Sequence, residues 1–475
     1  MSYINDGAAN EAIGALCKLI ERNDSIAPEN YQKFPVKYGL RNPDGTGVVA
    51  GLTKVCSVSG YYIEDDERIP KEGQLTYRGV NIYDIVRGCR DEDRFGFEEV
   101  AWLLIFGSLP TAEMLESFRS LLGSMRELPD DFIEDMIMKA PSPNVMNKLA
   151  RSVLALYSYD DGPDDTSLAN ILSQSLALLA KMPTIMSCAY QVKRRHYYHK
   201  SMYLHPVKPE QTAAQSILNS IRSNKNFTDA EAKLLDLCMM LHAEHGGGNN
   251  STFTVRSLTS TGTDTYSAIS GGIGALKGPR HGGANIKVAE MVSMLRENVR
   301  DIHDDGQVAD YIAKLVKREA GDRSGLVYGM GHAVYTLSDP RAVILKREAR
   351  AFAEASDSIE AIEDLEILEK IERLTPEIFA EVKHSNKKMC ANVDLYSGLI
   401  YKMLRIPEDL YTPLFVCART AGWTAHRIEE FMTGRRIVRP AYKSLSLPIS
   451  YVPLERRTED YMALAGRNYI PKDER

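Results

Sequence analysis

The chain has 475 residues, of which 44% are hydrophobic and 26% charged, and its formal net charge is −6 at pH 7. This length and composition allow a large buried core, either in two to three domains or in one large domain that carries a smaller one. The weak negative charge excludes a general basic surface for nucleic acid and favours small-molecule chemistry.

The seven cysteines are scattered along the chain and form no CxxC pair. This distribution indicates a reducing compartment and argues against a cysteine-bound metal. The first residues lack the basic start and apolar core of a secretory signal. No uninterrupted apolar run approaches membrane-spanning length. We therefore expect a cytoplasmic protein that does not bind membranes.

In chain order, the first predicted element is a short β-hairpin near residues 53–83, where apolar and polar residues alternate in KVCSVSGYYIEDD and QLTYRGVNIYD. Helical periodicity dominates elsewhere, as in TAEMLESFRSLLGSM and SLANILSQSLALLAKM. The acid-rich segment 354–374 keeps isoleucine and leucine at helical spacing, which predicts an exposed helix with one buried stripe. The predicted class is mainly helical, all-α, with one small N-terminal β element.

The stretch KRRHYYHK, residues 193–200, is a basic patch interleaved with aromatic residues. That composition is typical of a nucleic-acid contact. Because it is one short run on an acidic chain, a solvated loop is the favoured interpretation, and a phosphate contact to a small cofactor is a second. We expect no nucleic-acid partner.

The segment LHAEHGGGNN places His242 and His245 beside a run of glycines. Its spacing is neither HExxH nor HxxEH, and no cysteine lies near enough to complete a zinc site. We therefore expect no metal. The later GGIGALKG contains a GxG, but its third glycine is misplaced and no βαβ alternation surrounds it, so it is a poor dinucleotide site.

The segment GPRHGGAN surrounds His281 with glycines just before an amphipathic stretch. If Asn285 caps the helix that follows, His281 lies near the positive end of the helix dipole, which lowers the pKa of its imidazole. A neutral histidine there can donate a hydrogen bond to a developing enolate oxygen. A loop histidine hydrogen-bonded to nearby backbone is the alternative interpretation.

Two further segments carry candidate groups whose roles their own residues leave open. In GMGHAVYTLSDPR, His332 precedes Arg341, which either grips a carboxylate through two hydrogen bonds or is a solvated residue at an Asp-Pro helix start. In NVDLYSG, Asn392 or Asp394 either caps a helix, or Asp394 is a positioned general base. Arginines such as Arg419, in CARTAGWTAH, are more often structural than ligand-binding.

Taken together and in this order, HAEHGGGN, GPRHGGAN, GMGHAVYTLSDPR, NVDLYSG, the arginine in CARTAGWTAH and the final IVRP resemble the citrate synthase family. PTIMSCAY and YRGVNIYDIV also look like that family, so the resemblance covers most of the chain. It implies a mostly helical two-domain homodimer. The large domain comprises 1–283 and 406–475, and the small domain, 284–405, closes over the substrates.

The resemblance also implies a role for each matching residue. His281 matches the hydrogen-bond donor to the acetyl thioester oxygen, Asp394 the base that removes a methyl proton from acetyl-CoA, and His332 the residue that polarises the oxaloacetate ketone. His245 and Asn249 match the oxaloacetate pocket, Arg341 and Arg419 its carboxylate clamps, and Arg439 an arginine from the other subunit. The backbone of Val327, Gly329, Met330 and Gly331 matches the loop around the adenine of CoA. CoA is a co-substrate, and no permanently bound cofactor is implied.

The chain departs from the family pattern at two positions where basic residues commonly meet CoA phosphates. It has Thr336 four positions after His332, and Gln191 where an arginine is common. We expect replacements among Lys193, Arg194, Arg195 and Arg280.

The leading function is therefore citrate formation from oxaloacetate and acetyl-CoA. The nearest alternative is 2-methylcitrate formation from propionyl-CoA, which no quoted motif excludes. A non-catalytic ligand-binding homologue is the alternative of another class. Retention of His281, His332 and Asp394 together argues against it, because binding alone does not require the base.

Overall fold

The computed structural model describes residues 7–23, 26–65, 67–385, 388–434, 436–446, 451 and 453–457. The chain divides into two compact units, one formed by Met1–Val49 with Val438–Arg475 and the other by Ala50–Ile437. The predicted small domain, 284–405, lies entirely within the second unit, and its independent movement stays a prediction.

The first unit includes the helices α1 (Gly7–Asn23) and α2 (Asn30–Lys33), with 3-10 turns at Tyr38–Leu40 and Leu454–Arg456. The rings of Tyr31 and Tyr38 pack with their centroids 4.8 Å apart. Arg439 belongs to this unit and is exposed. Its contribution across a subunit interface stays a prediction.

The second unit begins with the predicted β-hairpin, which the structure confirms. Strands β1 (Cys56–Glu64), β2 (Glu67–Tyr77) and β3 (Val80–Asn81) form an antiparallel sheet in the order β1-β2-β3. Cys56 pairs with Tyr77 at one end of the hairpin, and Glu64 pairs with Glu67 at the other. Alternate residues at the end of β2, including Leu75 and Tyr77, are buried, as the period-two pattern predicts.

The remainder of the second unit is mostly helical, which confirms the predicted mainly helical class. The helices are α3 (Ile82–Asp91), α4 (Phe97–Phe106), α5 (Ala112–Ser124), α6 (Val145–Leu156), α7 (Leu168–Tyr198), α8 (Ala213–Ile221), α9 (Asp229–His242), α10 (Asn250–Thr259), α11 (Thr265–Lys277), α12 (Ala284–Asn298), α13 (Asp305–Val316), α14 (Pro340–Ala355), α15 (Ile359–Lys383), α16 (Val393–Met403) and α17 (Tyr411–Thr433). A short π-helix spans Ile133–Met138, and 3-10 turns span Tyr157–Tyr159 and Glu408–Leu410.

Two long helices, α7 and α17, run through the core of this unit. Every residue of α17 from Tyr411 to Arg427 is buried. By length and composition α7 qualifies as a candidate membrane span, although polar residues such as Lys181 interrupt its apolar run. However, 72% of its apolar window is buried inside the fold, as is usual for a core helix. This burial accounts for its apolar character without a membrane.

The acid-rich segment 354–374 is helical, as predicted, but it contains a break. Helix α14 ends at Ala355, and α15 begins at Ile359 with the Ser358 hydroxyl accepting a hydrogen bond from the Ala361 N–H. One stripe of α15, including Leu365 and Leu368, is buried. Serine is a favoured N-cap residue, which explains the new helix start.

Candidate active site

The turn that follows α9 carries His245, which is 8% exposed. The ring of His245 lies perpendicular to that of His332, with their centroids 5.0 Å apart. Burial and then the charge of Arg341 hold the pKa of His245 well below its ordinary value. Its Nε2 is buried and has no hydrogen-bond partner in the described part of the chain. His245 is therefore a neutral side chain with one ring nitrogen available to a ligand.

Ser251, near the start of α10, joins three groups of the site. Its backbone N–H donates to Nε2 of His281 over 3.2 Å. Its hydroxyl donates to Oδ1 of Asn249 over 3.0 Å and accepts a hydrogen bond from Nε1 of Trp423 over 3.3 Å. Sequence reasoning identified His281 and Asn249 but missed Ser251 and Trp423. Their place within HAEHGGGNNS and CARTAGWTAH is the only signal that the sequence offers.

The predicted cap for α12 is wrong. The helix begins at Ala284 after Gly283, and Asn285 lies buried inside its first turn with its Oδ1 accepting the Ile286 N–H over 2.8 Å. The pKa of His281 is nevertheless lowered, to about 4, chiefly by burial and then by the charge of Arg419. A neutral imidazole is therefore present as predicted, although burial rather than an Asn285-capped helix accounts for it.

The glycines beside His281 serve close packing. A Cβ on Gly282 would lie 2.2 Å from the carbonyl oxygen of Leu276, at the end of α11. The hydroxyl of Thr412 donates to the Gly282 carbonyl over 2.8 Å. Two separate elements therefore hold the backbone next to His281 in place.

His332 is oriented by its own loop. Its Nδ1 accepts hydrogen bonds from the backbone N–H groups of Val334 and Tyr335, each over 3.0 Å. The imidazole also stacks on the ring of Tyr335, with centroids 4.6 Å apart. Because Nδ1 is an acceptor, the ring proton of the neutral histidine is on Nε2. His332 can therefore donate from Nε2.

The β-hairpin packs against the loop that follows His332. A Cβ on Gly60 would lie 2.7 Å from the Val334 carbonyl oxygen, and one on Gly73 would lie 2.1 Å from that of Ser338. Arg68 donates to the Val334 carbonyl over 3.2 Å. The small β element therefore supports a candidate catalytic loop, a role that the sequence did not indicate.

A main-chain bridge joins the His332 loop to the segment that carries Asp394. Met330 and Ala391 form an isolated antiparallel bridge. The backbone N–H of Asn392 donates to the Gly329 carbonyl over 2.8 Å, and its side-chain amide donates to the Gly331 carbonyl over 2.9 Å. Val327 lies just before the bridge and accepts the Met330 N–H over 3.1 Å. The CoA contacts of this loop stay a prediction.

Asp394 occupies the first turn of α16. The cap is Asn392, whose Oδ1 accepts the Asp394 N–H over 3.0 Å, so Asp394 itself is not the capping residue. Burial, partly opposed by the charge of Arg341, raises the pKa of Asp394 to about 6. Its carboxylate accepts no hydrogen bond from any described residue and retains some solvent exposure. These properties suit a general base.

Arg341 lies at an Asp-Pro helix start but is buried rather than solvated. Its Nε and one Nη donate to the two carboxylate oxygens of Asp339 over 3.1 and 2.7 Å. Asp339 also caps α14. This pairing occupies one edge of the guanidinium, so a contact to substrate uses the remaining Nη.

Arg419 is 2% exposed, and its Nε donates to the His242 carbonyl over 2.7 Å. No carboxylate of the described residues lies within ion-pair distance of its guanidinium, and neither Nη has a protein partner there. Burial lowers the pKa of Arg419, with Glu244 opposing the shift. Buried guanidinium groups are normally paired, so this one is suited to an anionic ligand.

The stretch KRRHYYHK is helical as far as Tyr198 rather than a loop, but its residues from Arg195 onwards are exposed, as predicted. Lys193 forms an ion pair with Asp409, with 2.5 Å between Nζ and Oδ1, which leaves it poorly placed to bind CoA. Arg194 lines an open cavity of about 610 Å³ together with Lys200.

Within the described residues, no group of three or more His, Cys, Asp or Glu side chains is arranged to hold a metal ion.

Comparison with known proteins identifies similar chains along most of this one. Residues 43–441 match the family model described as "Citrate synthase, C-terminal domain". The 2-methylcitrate synthase 1 of Corynebacterium glutamicum is 32% identical over 421 residues, covering 87% of this chain and 97% of that protein. The citrate synthase of Haloferax volcanii is 32% identical over 397 residues, covering 81% and 93%. The crystal structure of the citrate synthase from Pyrobaculum aerophilum has a TM-score of 0.70 at 27% identity, covering 89% of this chain and 95% of that one.

Proposed function

The chain belongs to the citrate synthase family, and from that premise we propose that it condenses oxaloacetate with acetyl-CoA and hydrolyses citryl-CoA to citrate and CoA. The observation that carries this proposal is the combination of a base and two neutral donors. Asp394 is a carboxyl group with a pKa raised to about 6, and His281 and His332 each have one ring nitrogen held as an acceptor. Thioester enolisation followed by attack on a ketone requires these groups.

In the first step Asp394 takes a proton from the methyl group of acetyl-CoA, the C–H electron pair becomes the second bond between the methyl and carbonyl carbons, and the C=O electron pair moves to the thioester oxygen to give an enolate. The thioester oxygen gains negative charge as this occurs. Nε2 of His281 accepts the Ser251 N–H, so the opposite ring nitrogen holds the proton and donates to that oxygen. A neutral donor stabilises the oxyanion without first losing a proton.

In the second step the enolate carbon attacks the ketone carbon of oxaloacetate, the ketone C=O electron pair moves to its oxygen, and that oxygen takes the proton from Nε2 of His332 to become the hydroxyl of citryl-CoA. His332 supports this step because its Nε2–H can polarise the ketone. Arg419 supplies a buried cation with both Nη groups available for a carboxylate. Water then cleaves the thioester and releases citrate and the CoA thiol.

A second candidate is 2-methylcitrate formation from propionyl-CoA, because the chain is 32% identical to a 2-methylcitrate synthase and also 32% identical to a citrate synthase. The two acyl substrates differ by one methylene, which pockets typically discriminate by only about 1 to 3 kcal/mol. The deciding experiment measures oxaloacetate-dependent thiol release from each thioester, with the product identified by mass spectrometry. A higher kcat/KM for acetyl-CoA supports the first candidate, and a higher value for propionyl-CoA supports the second. No release from either contradicts both.

We also propose a cytoplasmic homodimer in which Arg439 of the partner subunit reaches the oxaloacetate carboxylates, as the family resemblance implies. Sedimentation at several protein concentrations tests the dimer. An Arg439→Gln variant that leaves the KM for oxaloacetate unchanged would contradict the role of Arg439.

A further inference from the structure

We propose that His426 is a positioning residue for the oxaloacetate half of the site, acting through Glu244 on the turn that carries His245. The inference rests on the proposed function because it takes oxaloacetate as the ligand. It concerns a buried chain of polar groups that extends from this turn to the ends of α10 and α17.

The turn after α9 is held by hydrogen bonds from two neighbouring elements. From α17, Arg419 donates to the His242 carbonyl over 2.7 Å, and the Gly422 N–H donates to the Ala243 carbonyl over 3.2 Å. From β2, the hydroxyl of Tyr77 donates to the Glu244 carbonyl over 3.1 Å. The last carbonyls of a helix lack intrahelical partners, so these donors fix the direction in which the chain leaves α9. That direction places His245.

The side chain of Glu244 makes a second connection to α17. Its Oε1 accepts hydrogen bonds from the Gly246 N–H and from Nε2 of His426, the latter over 3.1 Å, and both Glu244 and His426 are fully buried. Burial alone would raise the pKa of Glu244, but His426, Arg419 and the Gly246 N–H outweigh it and lower the pKa. Glu244 is therefore an anion inside the protein.

Arg256 determines which nitrogen of His426 carries the proton. Its Nη1 lies 2.8 Å from Nδ1 of His426. A guanidinium can only donate, so Nδ1 is the acceptor and the proton is on Nε2, facing Glu244. The ring of His426 therefore accepts from Arg256 and donates to the Glu244 carboxylate.

The end of this hydrogen-bonded network that lies farthest from Glu244 is also held in place. Arg256 forms ion pairs with Glu429 and Glu430 over 2.8 and 2.9 Å. Glu429 in turn accepts the backbone N–H of Lys54 over 2.7 Å, two residues before β1. All three charged side chains are less than 15% exposed. These paired and largely buried groups limit the arrangements that this part of the network can adopt, whereas Oε2 of Glu244 is buried without a partner among the described residues.

The network also places negative charge at a useful distance from Arg419. A Cβ on Gly422 would lie 2.1 Å from Oε2 of Glu244, so only glycine lets α17 approach this carboxylate. Glu244 acts on Arg419 through its charge but forms no ion pair with it. The negative charge of Glu244 offsets part of the positive potential of the guanidinium, and the Nη groups of Arg419 stay available to a ligand. A direct ion pair would occupy them.

Two substitutions at position 426 separate the two contacts of the ring. His426→Gln extends an amide about as far as Nε2 and keeps a donor to Glu244. His426→Asn reaches only as far as Nδ1, so it keeps a partner for Arg256 but loses the contact to Glu244. We expect the asparagine variant to raise the KM and the dissociation constant for oxaloacetate about 10- to 100-fold, the effect of losing a charge-assisted hydrogen bond. We expect the glutamine variant to stay within about 3-fold of wild type.

The KM for the acyl-CoA is the internal control, and we expect it to be unchanged in both variants. Circular dichroism and thermal melts establish that each variant is folded. If the asparagine variant does not fold, Arg256→Met tests the same network at its contact with His426, because the Arg256 side chain is 13% exposed. This variant should also raise the KM for oxaloacetate.

A folded asparagine variant with an unchanged affinity for oxaloacetate would overturn the inference, as would a glutamine variant as impaired as the asparagine one. Calorimetric titration of oxaloacetate into each protein measures affinity without turnover. If the wild-type protein binds oxaloacetate but forms no product from either thioester, the proposed reaction fails while the positioning role is still tested.

Discussion

The backbone N–H of Ser251 donates to Nε2 of His281 over 3.2 Å, and this contact determines the protonated nitrogen of the neutral imidazole. The donor is a main-chain group, so no side-chain substitution at position 251 removes it directly. The backbone conformation at the start of α10 therefore determines which ring nitrogen of His281 carries the proton.

The first prediction concerns His281 as the oxyanion donor. His281→Ala should lower kcat by about 100- to 1,000-fold, because removal of one oxyanion-stabilising donor has effects of that size. Steady-state kinetics with saturating oxaloacetate measures this. Lys277→Gln, at an exposed position four residues earlier, is the matched control and should change kcat less than about twofold. A His281→Ala variant with near-normal kcat would exclude the role.

The second prediction concerns Asp394 as the base. Its pKa is about 6, and it acts in the ionised form, so kcat/KM should fall as the pH drops through about 6. Asp394→Asn should remove at least about 99% of the activity while oxaloacetate still binds, because the amide cannot accept the methyl proton. A variant that loses oxaloacetate affinity but keeps turnover would contradict this assignment.

The same carboxyl group gives a third prediction, on stability. A pKa raised in the folded state favours the protonated form, so the associated stability is present below about pH 4 and is lost as the pH rises through about 6. Asp394→Asn should therefore increase the free energy of unfolding at pH 7 by about 1 to 2 kcal/mol, after allowance for the partial exposure of the group. Denaturant titrations at pH 4 and pH 7 should show the gain only at the higher pH.

A fourth prediction uses oxaloacetate alone. Because Arg419 is buried without a carboxylate partner in the described part of the chain, a bound dicarboxylate should stabilise the fold. At 100 times its dissociation constant, a ligand specific for the folded state stabilises by about 2.7 kcal/mol. Melting temperatures should rise with oxaloacetate in the wild type and not in Arg419→Gln. An equal rise in both proteins would exclude Arg419 as a principal contact.

A fifth prediction compares two glycines of the His332 loop that share a left-handed backbone. Gly329 has φ +82° and a Cβ there would lie 2.7 Å from Cδ1 of Leu395, whereas Gly331 has φ +88° and no heavy atom within 4 Å of the corresponding position. Gly331→Ala should therefore destabilise by about 1 kcal/mol from backbone strain alone. Gly329→Ala should cost about 1 to 3 kcal/mol more because of the steric contact. Equal losses would contradict the packing seen at Leu395.

Much of the fold was predictable because its signals are local. The alternation in residues 53–83 predicted the hairpin, and three-to-four spacing predicted the helices. The break between α14 and α15 was missed because Ser356 and Ser358 lie within a continuous apolar period, which conceals a new N-cap. At the basic end of α7 the exposure was predicted but the helix was not, and the burial of Lys193 depends on its partner Asp409, 216 residues away.

The sequence identified most residues of the candidate site, but it did not identify the physical causes of their pKa shifts and pairings. Motifs gave His281, His332 and Asp394, yet the low pKa of His281 comes from burial and Arg419 rather than from an Asn285 cap. Glu244 and His426 lie within the motifs that were quoted, but their pairing spans 182 residues. Contacts across such separations follow from helix packing, which the periodicity of a single chain does not specify.

The bridge between Met330 and Ala391 has a consequence for changes in substrate choice. Through main-chain hydrogen bonds it ties the loop of His332, the proposed activator of the ketone, to the segment of Asp394, the proposed base, so we expect the two to shift together. If those roles hold, redesign for a bulkier acyl chain has to change the pocket walls around the two residues, since a shift of either would misalign both halves of the new carbon-carbon bond.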